Sequence, residues 1–320
     1  GVALSEQGKV DEAIEAYRHA IRLQPGNAAP HHNLALALEA KGDADGAIEE
    51  YRETLRLQPN NATAHNNLGL VLQRKGQLDE AIGEYRAALR LQAGSVAALY
   101  CLNLSAALLV KGELDGAVGS GRTAIRLQPE NADAHYNLGL ALKAKGDFNG
   151  ALAAFREVLK LDPGQGALHY EVGQLLDRAG DDAGALTEYR AMLARQPSHA
   201  PTQEALAVLL QKQGDIDGAI AAYRSALQAA PNSVAAQNNL GVALLNKGQV
   251  DDALAAFRAA ASLQPNDPVA YYNLGEAFIA RNQRGEAIQS YRRYIGLAEA
   301  QLDHRDKVEA VRKHLAVLEP

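Results

Sequence analysis

Residues 62–95 read ATAHNNLGLVLQRKGQLDEAIGEYRAALRLQAGS. Leu68 and Leu72 precede Gly76, and Ile82, Tyr85 and Leu89 follow it, at the three- and four-residue spacing that puts side chains on one face of an α-helix. The stretch therefore predicts two amphipathic helices joined by a tight turn. Gly76 marks the turn, because a residue without Cβ takes the left-handed backbone that ends a helix at no steric cost. A single helix pair cannot bury both apolar faces, so copies of this unit must stack on one another.

The copies are present along the whole chain. Glycine recurs at Gly8, Gly42, Gly76, Gly112, Gly146, Gly180, Gly214 and Gly248, in steps of 34 residues broken once by a step of 36. Asn282 stands where the next glycine is due, and asparagine tolerates the left-handed backbone best after glycine. Alanine keeps the same phase at Ala13, Ala47, Ala81, Ala117, Ala151, Ala185, Ala219, Ala253 and Ala287, so that place has room for nothing larger. Proline closes most units, where it stops the second helix. The phase divides the chain into a partial repeat 1–27, repeats 28–61, 62–95, 96–131, 132–165, 166–199, 200–233, 234–267 and 268–301, and a remainder 302–320. The partial repeat begins inside a helix, which predicts a first repeat cut short. In the remainder, Val308, Val311, Leu315 and Leu318 form an apolar stripe. It predicts a capping helix over the last repeat that turns Asp306, Lys307, Arg312 and Lys313 to water.

Asn67-Leu68-Gly69, Gly76, Glu80-Ala81-Ile82 and Tyr85, with their counterparts in nine copies, resemble the tetratricopeptide repeat family over essentially the whole chain. The closest flavour is similar to the array of O-linked N-acetylglucosamine transferase, whose first helices also carry an asparagine before "LG" or "LA". The resemblance stops at repeats and does not reach a catalytic domain. It implies an all-α, right-handed α-solenoid of about nine helix-turn-helix repeats. It also implies a concave face lined by the first helix of each repeat.

Composition agrees with thin, helix-on-helix construction. Hydrophobic residues make up 47% of 320 positions while aromatics make up 5% and tryptophan is absent, so small side chains dominate. The 32 basic and 38 acidic residues leave a net charge of −6 with no polybasic block, which argues against nucleic acid or an anionic membrane as partner. Cys101 is the one cysteine, so neither an internal disulfide nor a multi-cysteine metal site is possible. No apolar run reaches the length of a membrane-spanning helix. The expected location is cytoplasmic by default.

On the face the resemblance assigns to ligands, Asn33, Asn67, Asn103, Asn137, Asn239 and Asn273 recur in one register, interrupted by Glu171 and Ala205. An amide offers a donor and an acceptor together and can pair with an extended peptide without reading its sequence. The alternative is that these amides satisfy groups inside the array. One residue earlier stand Tyr136, Tyr170 and Tyr272, which add contact area and a hydroxyl. Three residues after the asparagine, Leu36, Leu70, Ala106 and Leu140 read as an apolar stripe or as packing between first helices. The expected peptide-binding set is Asn33, Asn67, Asn103, Asn137, Tyr136, Tyr170, Asn239, Tyr272 and Asn273. His31, His65, His135 and His169 also keep phase, but residues one repeat apart do not converge on one metal centre. They read as half-buried packing. Arg18, Arg52, Arg86 and their counterparts, interleaved with acids, read as a solvated outer face with ion pairs.

No phosphate-cradling glycine loop, His-Glu-x-x-His or nucleophile–base set is present, so neither an enzyme nor a cofactor is expected. A chaperone-tail carboxylate clamp is also unexpected, because its lysine and second asparagine are missing from these registers. The predicted function is a non-enzymatic scaffold that binds extended peptides of partner proteins in the concave groove. The alternative is a structural element that self-assembles end to end. Repeat 96–131 is the irregular member. It holds two extra residues before Asn103, follows Ala93-Gly94 in place of proline, and carries Gly116, Gly119 and Gly121 in its second helix, with Gly121 where others have Tyr or Phe. Glycine inside a helix costs about 0.5–1 kcal/mol against alanine, which predicts the weakest second helix of the array; the departures read either as tolerated drift in a repeat protein or as a hinge or kink between residues 93 and 121.

Overall fold

The computed structural model describes residues 1–299 and 305–318. Among the described residues every regular element is an α-helix. The chain divides into two compact units, Gly1–Gln165 and Gly166–Pro320.

The first unit holds ten helices. They are α1 (Val2–Glu6), α2 (Val10–Leu23), α3 (Ala28–Lys41), α4 (Ala44–Leu57), α5 (Ala62–Arg74), α6 (Leu78–Leu91), α7 (Ser95–Lys111), α8 (Leu114–Leu127), α9 (Ala132–Lys145) and α10 (Phe148–Leu161). The second unit holds α11 (Leu168–Arg178), α12 (Asp182–Arg195), α13 (Ala200–Lys212), α14 (Ile216–Ala229), α15 (Val234–Asn246), α16 (Val250–Leu263), α17 (Pro268–Ala280), α18 (Arg284–Ala298) and α19 (Arg305–Leu318). Within each unit a helix packs on its successor, and first helices such as α7 and α9, or α15 and α17, also touch. The result is a solenoid of about nine helix pairs.

Local chemistry sets the turns. Gly42 adopts φ 86°, and the amide of Asp43 closes back onto the carbonyl of Leu38 at 2.9 Å, which satisfies the end of α3. Asn282 does the same work at φ 62° and is the one positive-φ residue other than glycine among the described residues. The in-phase alanines from Ala13 to Ala287 are completely buried. One layer on, small residues of the first helix face the aromatic of the second. A Cβ on Gly69 would lie 2.7 Å from the Tyr85 ring, and one on Gly173 would lie 2.5 Å from Tyr189.

Repeat 96–131 keeps its second helix whole despite three glycines. Its two extra residues lengthen α7 to 17 residues, against 13 or 14 for α3, α5 and α9. Ser105 replaces the small glycine of the first helix where Gly121 replaces the aromatic. Its Oγ donates to the carbonyl of Ala117 at 2.8 Å and would stand 3.3 Å from a Cβ on Gly121, with Leu138 Cβ at 3.5 Å. The bulk has been redistributed among neighbours.

The division between compact units falls between Gln165 and Gly166. In the other unit the corresponding residues are Asn131 and Ala132, and Asn131 accepts the amide of Ala134 at 3.0 Å to cap α9. Here Gln165 makes no such cap and Gly166 does not join the helix. α11 starts only at Leu168, and the amides of His169 and Tyr170 reach three residues back, to Gly166 and Ala167, at 3.2 Å.

At the C-terminus α19 buries Val308, Val311 and Leu315 in the core of the second unit, alongside Tyr291 and Tyr294. Burying side chains of this size stabilises by roughly 1.5–3 kcal/mol each. Arg284 donates to the carbonyls of Val317 and Leu318, and Arg312 pairs with Glu299. Lys307 does not turn simply to water. Its Nζ lies 3.7 Å from the centroid of the Tyr272 ring, a cation–π contact. The remaining ends of the expected 302–320 segment, and residues 300–301 of the last repeat, lie outside the described residues.

Candidate peptide-binding face

In the first unit Asn33, Asn67, Asn103 and Asn137 stand on α3, α5, α7 and α9, all half-buried. Part of this amide register is wired between repeats. Asn103 donates to Oδ1 of the buried Asn66 at 2.8 Å, Asn66 donates to Asn67 at 3.3 Å, and Asn67 bonds the phenol of Tyr51. An amide has two N–H groups and two lone pairs on oxygen, so one or two internal bonds leave capacity at each. The two readings of this register, internal satisfaction and peptide contact, therefore coexist chemically. In the second unit Asn239 and Asn273 are half-buried, and Asn273 donates to the buried Asn238 at 3.5 Å. Glu171 and Ala205 occupy the same register on α11 and α13.

The three tyrosines differ in access. Tyr136 tilts on Phe155 at 5.9 Å and belongs to the first unit with the four asparagines. Tyr170 lies in the second unit, with His199 edge-on at 5.3 Å and Gln174 donating to its hydroxyl at 2.9 Å. Burial, with the charges of Glu171 and Glu204, pushes its phenol above the usual range. Tyr272 also titrates high, through burial and then Glu276, and it carries Lys307 over its ring. Together with Glu276, Tyr291 and His314 it borders a cavity of about 130 Å³ at α19. Asn33, Asn67, Asn103 and Asn137, with Tyr136 beside the last, thus stand on successive first helices of the first unit, and Tyr272 and Asn273 on α17 of the second.

A rule within the repeats was not read from the sequence. A buried phenol needs an acceptor for its hydroxyl, and for four of the second-helix tyrosines the first helix supplies one. Tyr51 donates to Glu39 at 2.5 Å, Tyr85 to Gln73 at 2.8 Å and Tyr223 to Gln211 at 3.4 Å. Where the aromatic is Gly121, Phe155 or Phe257, that register holds Leu109, Lys143 or Leu245. In the last repeat it is Ile279, and Tyr291 turns to Glu276 at 2.7 Å. Burial raises all these phenols, Tyr223 to about 12. The signal was legible as paired changes twelve residues apart.

The histidine register is structural. His31, His65 and His169 place Nδ1 2.5–2.6 Å from Glu50, Glu84 and Glu188 of the same repeats. Nε2 of His65 and His135 donates to the carbonyls of Pro59 and Pro129 at 3.0 and 2.8 Å. Gln203 and Tyr271, in the same register, reach Pro197 and Pro265 at 3.1 Å. In these four repeats the side chain pins the loop that enters the repeat. Burial raises the Cys101 thiol, in line with an inert packed residue. Among the described residues no group of three His, Cys, Asp or Glu could hold a metal ion, and no helix is long and apolar enough to cross a membrane.

The arginine register makes ion pairs, Arg18 with Glu15 at 3.0 Å and Arg52 with Glu80 of the next repeat at 2.9 Å. A second ladder escaped the sequence reading. The basic residue ending a first helix pairs with the aspartate opening the previous second helix. Examples are Lys41 with Asp11 at 2.7 Å, Lys111 with Asp79 at 2.6 Å, Lys145 with Asp115 at 2.5 Å and Arg281 with Asp251 at 3.0 Å. These registers hold uncharged residues at Asn149 and Ala179 and again at Ala183 and Gln213.

Models of the tetratricopeptide repeat match residues 1–42, 37–76 and 107–146, residues 62–94, residues 136–200 and 204–268, and residues 247–295. Among solved structures the chain is similar to YrrB, described as a TPR protein with an unusual peptide-binding site. Identity there is 25%, over 60% of this chain and 98% of that one, with a TM-score of 0.53. It also shares its fold with MamA, at 22% identity over 55% of this chain and 97% of that one, TM-score 0.51. A third likeness of fold is to the C-terminal part of a TPR repeat-containing protein from Cytophaga hutchinsonii, at 19% identity over 74% and 96%, TM-score 0.64. No curated protein matches the chain.

Proposed function

Since this chain belongs to the tetratricopeptide repeat family, whose fold mediates protein–protein interaction, we propose that it is a non-catalytic scaffold whose first unit holds extended peptide segments of partner proteins. The observation that carries this reading is the unbroken run of half-buried asparagines on α3, α5, α7 and α9, beside Tyr136. Four amides in one register can follow the N–H and C=O groups of a peptide main chain. The likeness to YrrB, described by its peptide-binding site, supports it. The second unit is the weaker candidate because Glu171 and Ala205 break its amide register and Lys307 covers Tyr272.

A neutral hydrogen bond nets about 0.5–1.5 kcal/mol, so four amides supply a few kcal/mol and affinity is micromolar or weaker. Replacing Asn33, Asn67, Asn103 and Asn137 together by alanine should weaken a captured peptide about tenfold or more, read by calorimetric titration. An unchanged dissociation constant removes the amide register from the reading. The structural share of Asn67 and Asn103 is controlled by the single changes Asn33→Ala and Asn137→Ala, for which no internal amide bond is seen.

A further inference from the structure

At the centre of the first-unit face, α7 exchanges polar for apolar residues. Leu99 stands where α5 has Thr63, Leu102 where it has Asn66, Leu109 where it has Gln73, and Val110 where it has Arg74. These side chains are not buried as packing would require. Leu99 is 48% exposed and Val110 68% exposed, while Leu102, Ala106 and Leu109 are half-buried. Together with the exposed Val96 they follow a three- and four-residue spacing along one side of α7, a stripe about 21 Å long at 1.5 Å per residue.

The surrounding charge says what can cover it. α7 carries no charged residue from Ser95 to Val110. Lys111 at its end is held by Asp79 at 2.6 Å and by Glu113. On the flanking helices Arg74 is paired with Glu39, which also accepts the hydroxyl of Tyr51. Lys143 of α9 stands one repeat on from Leu109, but a charged side chain laid along the stripe itself would lose water against the apolar side chains of α7, whereas an aliphatic or aromatic one would gain contact.

We infer that repeat 96–131 is a specificity element of the first-unit face, and that it selects peptide segments carrying large uncharged aliphatic or aromatic side chains. This rests on the peptide-binding reading above and adds which peptides are taken. The amides of the register contact main chain, and the α7 stripe contacts side chains. The irregular repeat, with its longer helix and its Ser105–Gly121 exchange, is then the one whose outer residues are specialised.

The test is a random array of peptides about twelve residues long, probed with the whole chain and with the variants Leu99→Ser/Val110→Ser and Val110→Lys. Both positions are exposed, and unchanged thermal melting confirms that the variants fold. The expected result is that wild type retains peptides rich in Leu, Ile, Val or Phe and poor in charge. The double variant should bind those same peptides about tenfold less tightly, and Val110→Lys should shift selection toward peptides containing Asp or Glu. Retention of charge-rich peptides by wild type, or equal affinity in the double variant, overturns the inference and leaves the peptide-binding reading standing. Retention of no peptide at all overturns both.

Discussion

Repeats 96–131 and 166–199 both depart from the pattern of their neighbours, and they fare differently. The first carries three glycines in a second helix and lacks its aromatic, yet α8 runs its full length from Leu114 to Leu127 inside a compact unit. The second has an ordinary aromatic, Tyr189, and a full second helix, yet the compact units part at its first residue. The difference is where each departure falls. A missing aromatic in the middle of a repeat is surrounded by side chains that can take up its volume, as Ser105 and Leu138 do. At the start of repeat 166–199 no side chain caps α11, as none caps α7, and the amides of His169 and Tyr170 turn to the carbonyls of Gly166 and Ala167. The interior glycines leave α8 at 14 residues, whereas the departure at Gln165 and Gly166 leaves α11 at 11.

The strongest way to break this comparison is to restore the aromatic alone. Gly121→Tyr should destabilise the first unit by about 2–3 kcal/mol, because Ser105 and Leu138 now occupy the space and overpacking has no outlet. Adding Ser105→Gly should recover much of the loss, and a double-mutant cycle in urea measures the coupling. Additive effects of the two changes would mean that the exchange of bulk is coincidental.

Next in size is repair of the weak entry. Gln165→Asn with Gly166→Ala restores the residue types that start α9, letting an amide oxygen cap the Leu168 N–H. The pair should stabilise the second unit by about 1–2 kcal/mol and slow hydrogen exchange over residues 166–172. Exchange that stays fast there would place the cause of the division elsewhere.

Alkaline titration sharpens the comparison through the buried phenols. Their folded-state ionisation is raised by burial, and for Tyr51 and Tyr291 also by the bonds to Glu39 and Glu276, while the unfolded chain ionises near pH 10. A raised folded value means that the contribution is complete below pH 10 and declines above it as the unfolded tyrosines ionise. Melting temperature should therefore fall between pH 10 and about 12, the value of Tyr223. Tyr51→Phe and Tyr223→Phe should flatten the fall. Repeat 96–131 has no phenol at the second-helix aromatic position, so Gly121→Ala should leave the slope unchanged.

The smallest effect belongs to the exposed side of α8. Gly119 has nothing within 4 Å of an added Cβ, so Gly119→Ala should gain about 0.5–1 kcal/mol by helix propensity alone. A loss in the denaturation midpoint would show that glycine is required there for packing.

The sequence by itself determined the helix pairs, their turns and their number. Those depend on local rules that every repeat restates: apolar spacing, glycine or asparagine where φ must be positive, and proline after the second helix. It also placed the four asparagines of the first unit on successive first helices, because a fixed period fixes the register. Only the tertiary structure decided which departures mattered, since Ser105 and Gly121 lie sixteen positions apart in sequence and meet only when α7 and α8 pack. It also decided that Lys307 covers Tyr272, that the histidines pin loops, and that Leu99 and Val110 remain open. Exposure and partnership depend on what the neighbouring repeat places opposite, and a one-dimensional period carries no information about that.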